Sequence, residues 1–359
     1  MKKYALENEF TNEQVKAFCN KRPKIGLITD LDNWAFANIA KQVKKNLSAY
    51  YDFEIIPALV IGNIVKVLYL ARDCDLVHFF WRMDVLSLYL QRTAEYLQFL
   101  GVDYNDFRKN VIDRMRFSTA VYDHLYLEGQ YLNHNRLVFA TVTNYYVSSE
   151  KLNRIYCEKD FIKRPAAVIE DGVDTTLFLP VNTGRFENPG ERKLVVGWSG
   201  NSKWNDGIED FKGVNTILKP VLKELADEGY PVEYKFADRN EGMIPHEKMP
   251  EYYSQIDVYV CTSKVEGTPN PVLEAMACGV PVISTDVGIV PQVFGEKQKE
   301  FILKERTKEC LREAVLRILQ EPGLLKVLSL ENLEQARKWD WSKRAGSFKA
   351  FFDRCLAGR

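Results

Sequence analysis

Glu266 and Glu274 stand with seven residues between them, in a stretch (263–279) that follows an apolar strand-like run and is dense in small or rigid residues: Gly267, Pro269, Ala275, Ala277 and Gly279. A carboxylate accepts two hydrogen bonds at once, which matches a vicinal diol on ribose or on a sugar ring. Asn270 is a favourable helix N-cap. Pro271 suits the first helical position, where its missing N–H is not needed, and Gly279 ends the helix before the next strand. The N-terminus of that short helix would attract an anion such as a diphosphate, through its free N–H groups and the positive end of its dipole. On residue types alone a plainer reading stands beside this one: Glu274 complements the helix dipole and Glu266 is solvated.

The remaining composition removes other chemistries. The chain has 359 residues, enough for two domains, with 46% hydrophobic and 27% charged residues, an ordinary globular composition. The 49 basic residues balance 49 acidic ones, which gives no support to nucleic-acid binding. The seven cysteines, Cys19 among them, include no CxxC pair, and the four histidines form no HExxH, so neither a disulfide framework nor a zinc site is expected. Residues 1–10 lack the apolar run of a secretory signal, and no stretch reaches about 18 uninterrupted apolar residues, so a cytoplasmic location is expected.

Short apolar runs alternate with amphipathic ones, the pattern of parallel sheets covered by helices. In the first half, strands are predicted at 24–28, 53–58, 76–80, 119–122, 137–140 and 166–169, with helices at 34–47, 85–100 and 105–116. Residues 179–190 gather prolines, glycines and asparagines and read as a linker. Beyond it, strands are predicted at 194–197, 232–236, 258–261 and 280–284. Helices are predicted at 214–227 (with Pro220 inside it), at 248–254 and from Pro271, and the chain is helical from 308 onward. Two doubly wound α/β domains in tandem, 1–185 and 191–340, would face each other across a cleft, with ligands at the carboxyl ends of the strands.

Glu266 and Glu274, followed by Ala275-Met276-Ala277-Cys278-Gly279-Val280-Pro281-Val282, resemble the E-x7-E signature of the retaining glycosyltransferases of family 4, which have the GT-B fold. Where the family has Gly-Phe-Gly, this chain has Gly267-Thr268-Pro269, with unchanged loop length. Residues 168–178 are similar to the family's VIPNGVD…F stretch, 147–152 to its serine-started helix, 75–79 to its DxVH strand, and 341–356 to the terminal helix that crosses back onto the first domain; the helix is expected over 341–359. The resemblance is strongest over about 166–295.

The resemblance implies that Glu274 binds the ribose of a nucleotide and that Glu266 holds a hydroxyl of the donor sugar. Gly267, Thr268, Pro269 and Asn270 then lie near sugar and phosphates, with Ser263 at the base. The family's Gly-Arg is Gly197-Trp198 here, and its Lys-Gly is Lys212-Gly213. Lys212 is therefore expected on the diphosphate, with Lys203, Ser199 and Asn201 in place of the arginine. Ile244, Pro245 and His246 are candidates beside the nucleobase. In the first domain, Trp34 replaces a family glycine pair and is either a stacking surface for a sugar or core. Around 122–126, either His124 approaches the donor sugar or Asp123 takes the family aspartate's place. The stretch 87–116 reads either as a solvated helix face or as a surface resting on an anionic membrane at the inner membrane face.

The expected activity is metal-independent, retaining hexosyl transfer from a nucleotide-sugar, UDP-sugar before GDP-sugar, to a hydroxyl of a glycan, lipid-linked or protein acceptor in bacterial surface glycan or glycoprotein synthesis. No cofactor is expected. The alternatives are a non-catalytic GT-B subunit that partners another transferase, and a nucleotide-sugar epimerase on the same fold.

Overall fold

The structure, a computed structural model, describes residues 21–32, 34–187 and 192–357. The amino-terminal segment with Cys19, Asn33, the end of the 179–190 linker and residues 358–359 of the terminal helix lie outside the described residues.

The first sheet is parallel throughout. Its strands are β1 (Lys24–Thr29), β2 (Asp52–Pro57), β3 (Leu76–Phe79), β4 (Phe117–Val121), β5 (Asn144–Val147) and β6 (Ala167–Val168), in the order β2-β1-β3-β4-β5-β6. The second sheet is parallel too: β7 (Leu194–Gly200), β8 (Val232–Asp238), β9 (Val258–Cys261), β10 (Val282–Thr285) and β11 (Ile302–Leu303) run in the order β11-β10-β9-β7-β8. Both orders reverse direction at an internal strand, and the crevice at such a switch point is where open parallel sheets bind ligands. Strands buried on both faces read as continuous apolar runs, which is why most of them are visible in the sequence.

The expected strand at 137–140 is instead the middle of helix α2 (Leu132–Thr141), which follows α1 (Ala35–Leu47) in the helices named here. Its short apolar run is one helical face, with Val138 and Phe139 buried. The strand at this point of the sheet is β5, whose Tyr145, Tyr146 and Val147 are fully buried. The single helices expected over 85–100 and 105–116 are broken into shorter pieces, Arg82–Tyr89 as a 3₁₀ helix, then Gln91–Phe99 and Tyr104–Asn110.

In the second domain, Pro220 has a physical resolution. Residues Val214–Leu218 form a π turn, in which the Leu218 N–H donates to the Gly213 carbonyl, and helix α3 (Lys219–Asp227) starts with Pro220 in its first turn. There the missing N–H is tolerated. Gly213 holds φ +69°, and a Cβ on it would lie 2.6 Å from the Thr262 carbonyl oxygen, so both conformation and space call for glycine.

Three later helices bear on the site and the domain junction: α4 (Asn270–Ala277), α5 (Leu324–Lys338) and α6 (Trp341–Ala357). Helix α6 leaves the second domain and packs on the first. Its Phe348, Phe351, Phe352 and Cys355 share one buried cluster with Ile25 and Leu27 of β1 and with Ile39, Ala40 and Val43 of α1. The crossing is pinned where Val173 pairs with Asp340: Val173 N–H donates to the Trp339 carbonyl at 2.9 Å, and Trp341 N–H to the Val173 carbonyl at 3.2 Å.

Candidate active site

Helix α4 brings the two glutamates to the cleft. It begins at Asn270, one residue earlier than the sequence suggests; Pro269 occupies the N-cap position and no side chain caps the end. Asn270 is thus the first helical residue rather than the cap, and its Oδ1 is buried without a partner. Asn270 and Glu274 line a cavity of about 310 Å³ between the domains, together with Ser199, Arg239, Ile244 and His246.

Glu274 is 9% exposed and held from two sides. The Tyr253 hydroxyl donates to Oε2 at 2.8 Å, and His246 Nε2 lies 3.0 Å from Oε1. Burial alone would lower the His246 pKa, but the hydrogen bond to Glu274 and its charge outweigh that, and the net shift is upward. Each carboxylate oxygen keeps a further lone pair, so a diol can still be accepted.

Glu266 lines the neighbouring cavity of about 560 Å³, on the first-domain side of the cleft, with Trp34, Asp123 and Lys212. Lys212 Nζ pairs with Glu266 Oε1 at 2.6 Å and sits 5.1 Å from the Trp204 ring centroid. The two cavities adjoin: the Arg239 guanidinium lies 4.8 Å over the ring of Trp34. Trp34 is therefore a cavity wall under a cation.

The loop between the glutamates is pressed onto the first domain. A Cβ on Gly267 would fall 2.7 Å from the Tyr122 carbonyl oxygen. The buried Thr268 hydroxyl donates to the Ser148 carbonyl at 3.3 Å and accepts from the Asp171 N–H at 3.4 Å. Asp171, where the resembling family has asparagine, is fully buried and accepts from the Tyr122 hydroxyl at 2.9 Å. Burial pushes its pKa up to about 8, toward the neutral acid. Ser263 is buried, and its carbonyl accepts from the Thr285 hydroxyl at 2.6 Å.

Several expected residues stand elsewhere. Lys203 is exposed and lines neither cavity; its N–H donates to Asn201 Oδ1 at 3.0 Å, and Asn201 also accepts from Asn240 at 3.0 Å. His124 is half-buried and lines neither cavity, whereas its neighbour Asp123 does, binding the buried Arg82 at 2.8 Å. Trp198 is 2% exposed in a core cluster with Val196 and Leu218. Strand alternation points it away from Ser199, which faces the cavity. An arginine side chain at 198 would be directed into that core.

The sequence reading missed Arg239, Tyr253, Asp30 and Asp84. Arg239 follows the carboxyl end of β8, where a cleft residue belongs, and that position was its one signal. It has no ion-pair partner among the described residues; burial lowers its pKa, against the charges of Asp30 and Glu274. Asp30 follows β1 and Asp84 follows β3, and only the sheet order brings them to one cavity.

A family model described as glycosyl transferases group 1 matches residues 241–338. The chain is 30% identical over 100 residues to an O-antigen chain mannosyltransferase B of Escherichia coli, a match covering 28% of this chain and 26% of that protein. It is 39% identical over 80 residues to a teichuronic acid biosynthesis glycosyltransferase, TuaC, of Bacillus subtilis, covering 22% and 20%. These two matches therefore span between a fifth and somewhat more than a quarter of either protein. Among solved structures, a sucrose-phosphate synthase from Thermosynechococcus elongatus superposes with TM-score 0.65 at 16% identity, covering 94% of this chain and 100% of that one. Anabaena Alr3699/HepE in complex with UDP and glucose gives TM-score 0.65 at 11% identity, covering 93% and 100%. The chain has the GT-B fold of glycosyltransferases, and its second domain carries the sequence pattern of glycosyl transferases group 1.

Proposed function

We propose that the chain is a glycosyltransferase that moves a sugar from a nucleotide donor to a hydroxyl acceptor, with retention of anomeric configuration, in bacterial surface glycan synthesis. One observation carries the reading: a single loop and helix present Glu266 to one cavity and Glu274 to the adjoining one, with a guanidinium, Arg239, at their boundary. The nucleotide occupies the smaller cavity, its ribose diol on Glu274. The diphosphate meets Arg239 and the uncapped start of α4, and Glu266, held by Lys212, orients a donor-sugar hydroxyl.

The bond from the sugar's anomeric carbon to the diphosphate oxygen breaks, and the acceptor oxygen bonds from the same face. The acceptor proton passes to the departing phosphate oxygen. Fixed cations and N–H groups stabilise the growing negative charge, so neither a side-chain nucleophile nor a metal ion is assigned a step. UDP is the favoured nucleotide, supported by the UDP and UDP-glucose bound in the Anabaena relative's structures. Exposed Leu90, Phe99 and Leu100 support a peripheral contact of the first domain with a membrane face.

The test is thermal denaturation with UDP, GDP, ADP and CMP, alongside Glu274→Ala. A ligand at 100 times its dissociation constant adds about 2.7 kcal/mol, which moves the midpoint by a few degrees. The expected result is a shift with one nucleotide that the variant loses; no shift with any of them contradicts the reading.

A further inference from the structure

We infer that the larger cavity, beside the donor sugar held on Glu266, seats an acceptor sugar ring bearing no phosphate or carboxylate, an uncharged or amine-bearing sugar, and that it discriminates against anionic acceptors; this rests on the transferase reading above. The walls supply flat aromatic faces, Trp81, Tyr126 and Tyr131, together with Trp34 and Trp204, over which Arg239 and Lys212 lie. Such faces suit the C–H side of a pyranose, while polar groups between them take its hydroxyls.

The charge in this cavity decides the class. Lys212 is already paired with Glu266, and Arg82 behind the wall is paired with Asp123. Asp30 and Asp84, both lining the cavity, have no ion-pair partner among the described residues, and Asp30 Oδ1 is buried without a hydrogen-bond partner. A hydroxyl or ammonium group satisfies such an acceptor, whereas a phosphate adds charge of the same sign in a half-buried space. Burial raises the pKa of both acids, and the charge of Asp30 adds to the rise of Asp84, to about 7. A phosphate beside the pair would push both pKa values further up, and that unfavourable coupling opposes its binding. Arg239, which has no ion-pair partner among the described residues, lines the other cavity and reaches this one at the Trp34 ring. The two unpaired carboxylates thus stand in the larger cavity and the unpaired guanidinium at its boundary with the smaller.

Saturation-transfer NMR on the full chain, with and without UDP, tests this. The probes are methyl α-glycosides of glucose, galactose, mannose, glucosamine and N-acetylglucosamine, each beside its 6-phosphate. The expected result is transfer to at least one phosphate-free glycoside, with its 6-phosphate bound about tenfold more weakly or worse. Asp84→Asn, which keeps the side-chain shape, should shrink that ratio to about threefold or less while leaving the UDP-induced thermal shift unchanged. Tighter or equal binding of the phosphates overturns the inference. So does transfer to none of the phosphate-free glycosides, or a ratio that Asp84→Asn leaves unchanged. Glycoside binding is read directly, so loss of the nucleotide shift alone counts against the transferase reading and not against this one.

Discussion

Arg239 is the side chain on which the donor half of the cleft turns. It lies over Trp34 and has no ion-pair partner among the described residues, with Asp30 and Glu274 acting on it only as nearby charges, so its hydrogen-bond donors are available to a ligand. Arginine offers a planar fork that matches phosphate geometry. A charge-assisted hydrogen bond is worth about 1.5–3 kcal/mol, or roughly 10–150-fold in affinity. Arg239→Ala should therefore weaken UDP binding by that order and leave uridine binding nearly unchanged, as calorimetric titration of both ligands will show. Equal losses for the two ligands would place the guanidinium on the nucleoside instead. Glu266 and Glu274 were legible in the sequence because one continuous segment carries both of them, with the small residues that press it against the first domain. Arg239, Asp30 and Asp84 were not, because each lies in a separate βα loop and acquires meaning only through the strand order.

At the scale of elements, local signals held where one period dominated. Helix α1 and the second-domain strands β7, β8 and β9 stand within a few residues of their predicted bounds. The reading failed at 137–140, where four apolar residues fit a strand and a helix face equally well, and β5 beside it was passed over. The predicted 214–227 helix runs through Pro220 because a π turn is not a pattern that hydrophobic periodicity reveals. That turn hangs on Gly213, which lets the chain pass beneath Thr262 and delivers Lys212 to Glu266. Gly213→Ala should cost roughly 1–3 kcal/mol of stability through its positive φ and the contact with the Thr262 carbonyl. Urea denaturation measures this. The same variant should lose transfer activity beyond what its unfolded fraction explains, because Lys212 moves with the turn; wild-type stability and activity would mean that the loop relaxes freely.

Across the whole molecule, the domains meet at the cleft, where the loop between the glutamates is pressed onto the first domain, and at the α6 crossing behind it. Lys151 Nζ reaches the Asp286 carbonyl at 2.6 Å, and Asn205 donates to the Tyr126 hydroxyl at 3.1 Å. Burying a phenylalanine contributes about 1.5–3 kcal/mol, and α6 buries three of them against the first domain. That sum is comparable to the whole stability of a typical domain, about 5–15 kcal/mol. A chain ended after residue 340 should therefore be recovered largely insoluble, and adding the 341–357 peptide in trans should restore part of the soluble fraction; a soluble, cooperatively unfolding truncate would show that the first sheet is stable uncovered.

The position of α6 also orders events in time. One face of the first sheet waits for a helix that leaves the ribosome roughly 170 residues after β6, on the order of ten to thirty seconds at about 5–20 residues per second. During that interval Ile25, Leu27, Ile39 and Val43 lack the partners that cover them in the finished molecule. The first domain is thus completed only after the second has been made, and a nascent chain of this protein presents an apolar sheet face to chaperones until α6 has emerged.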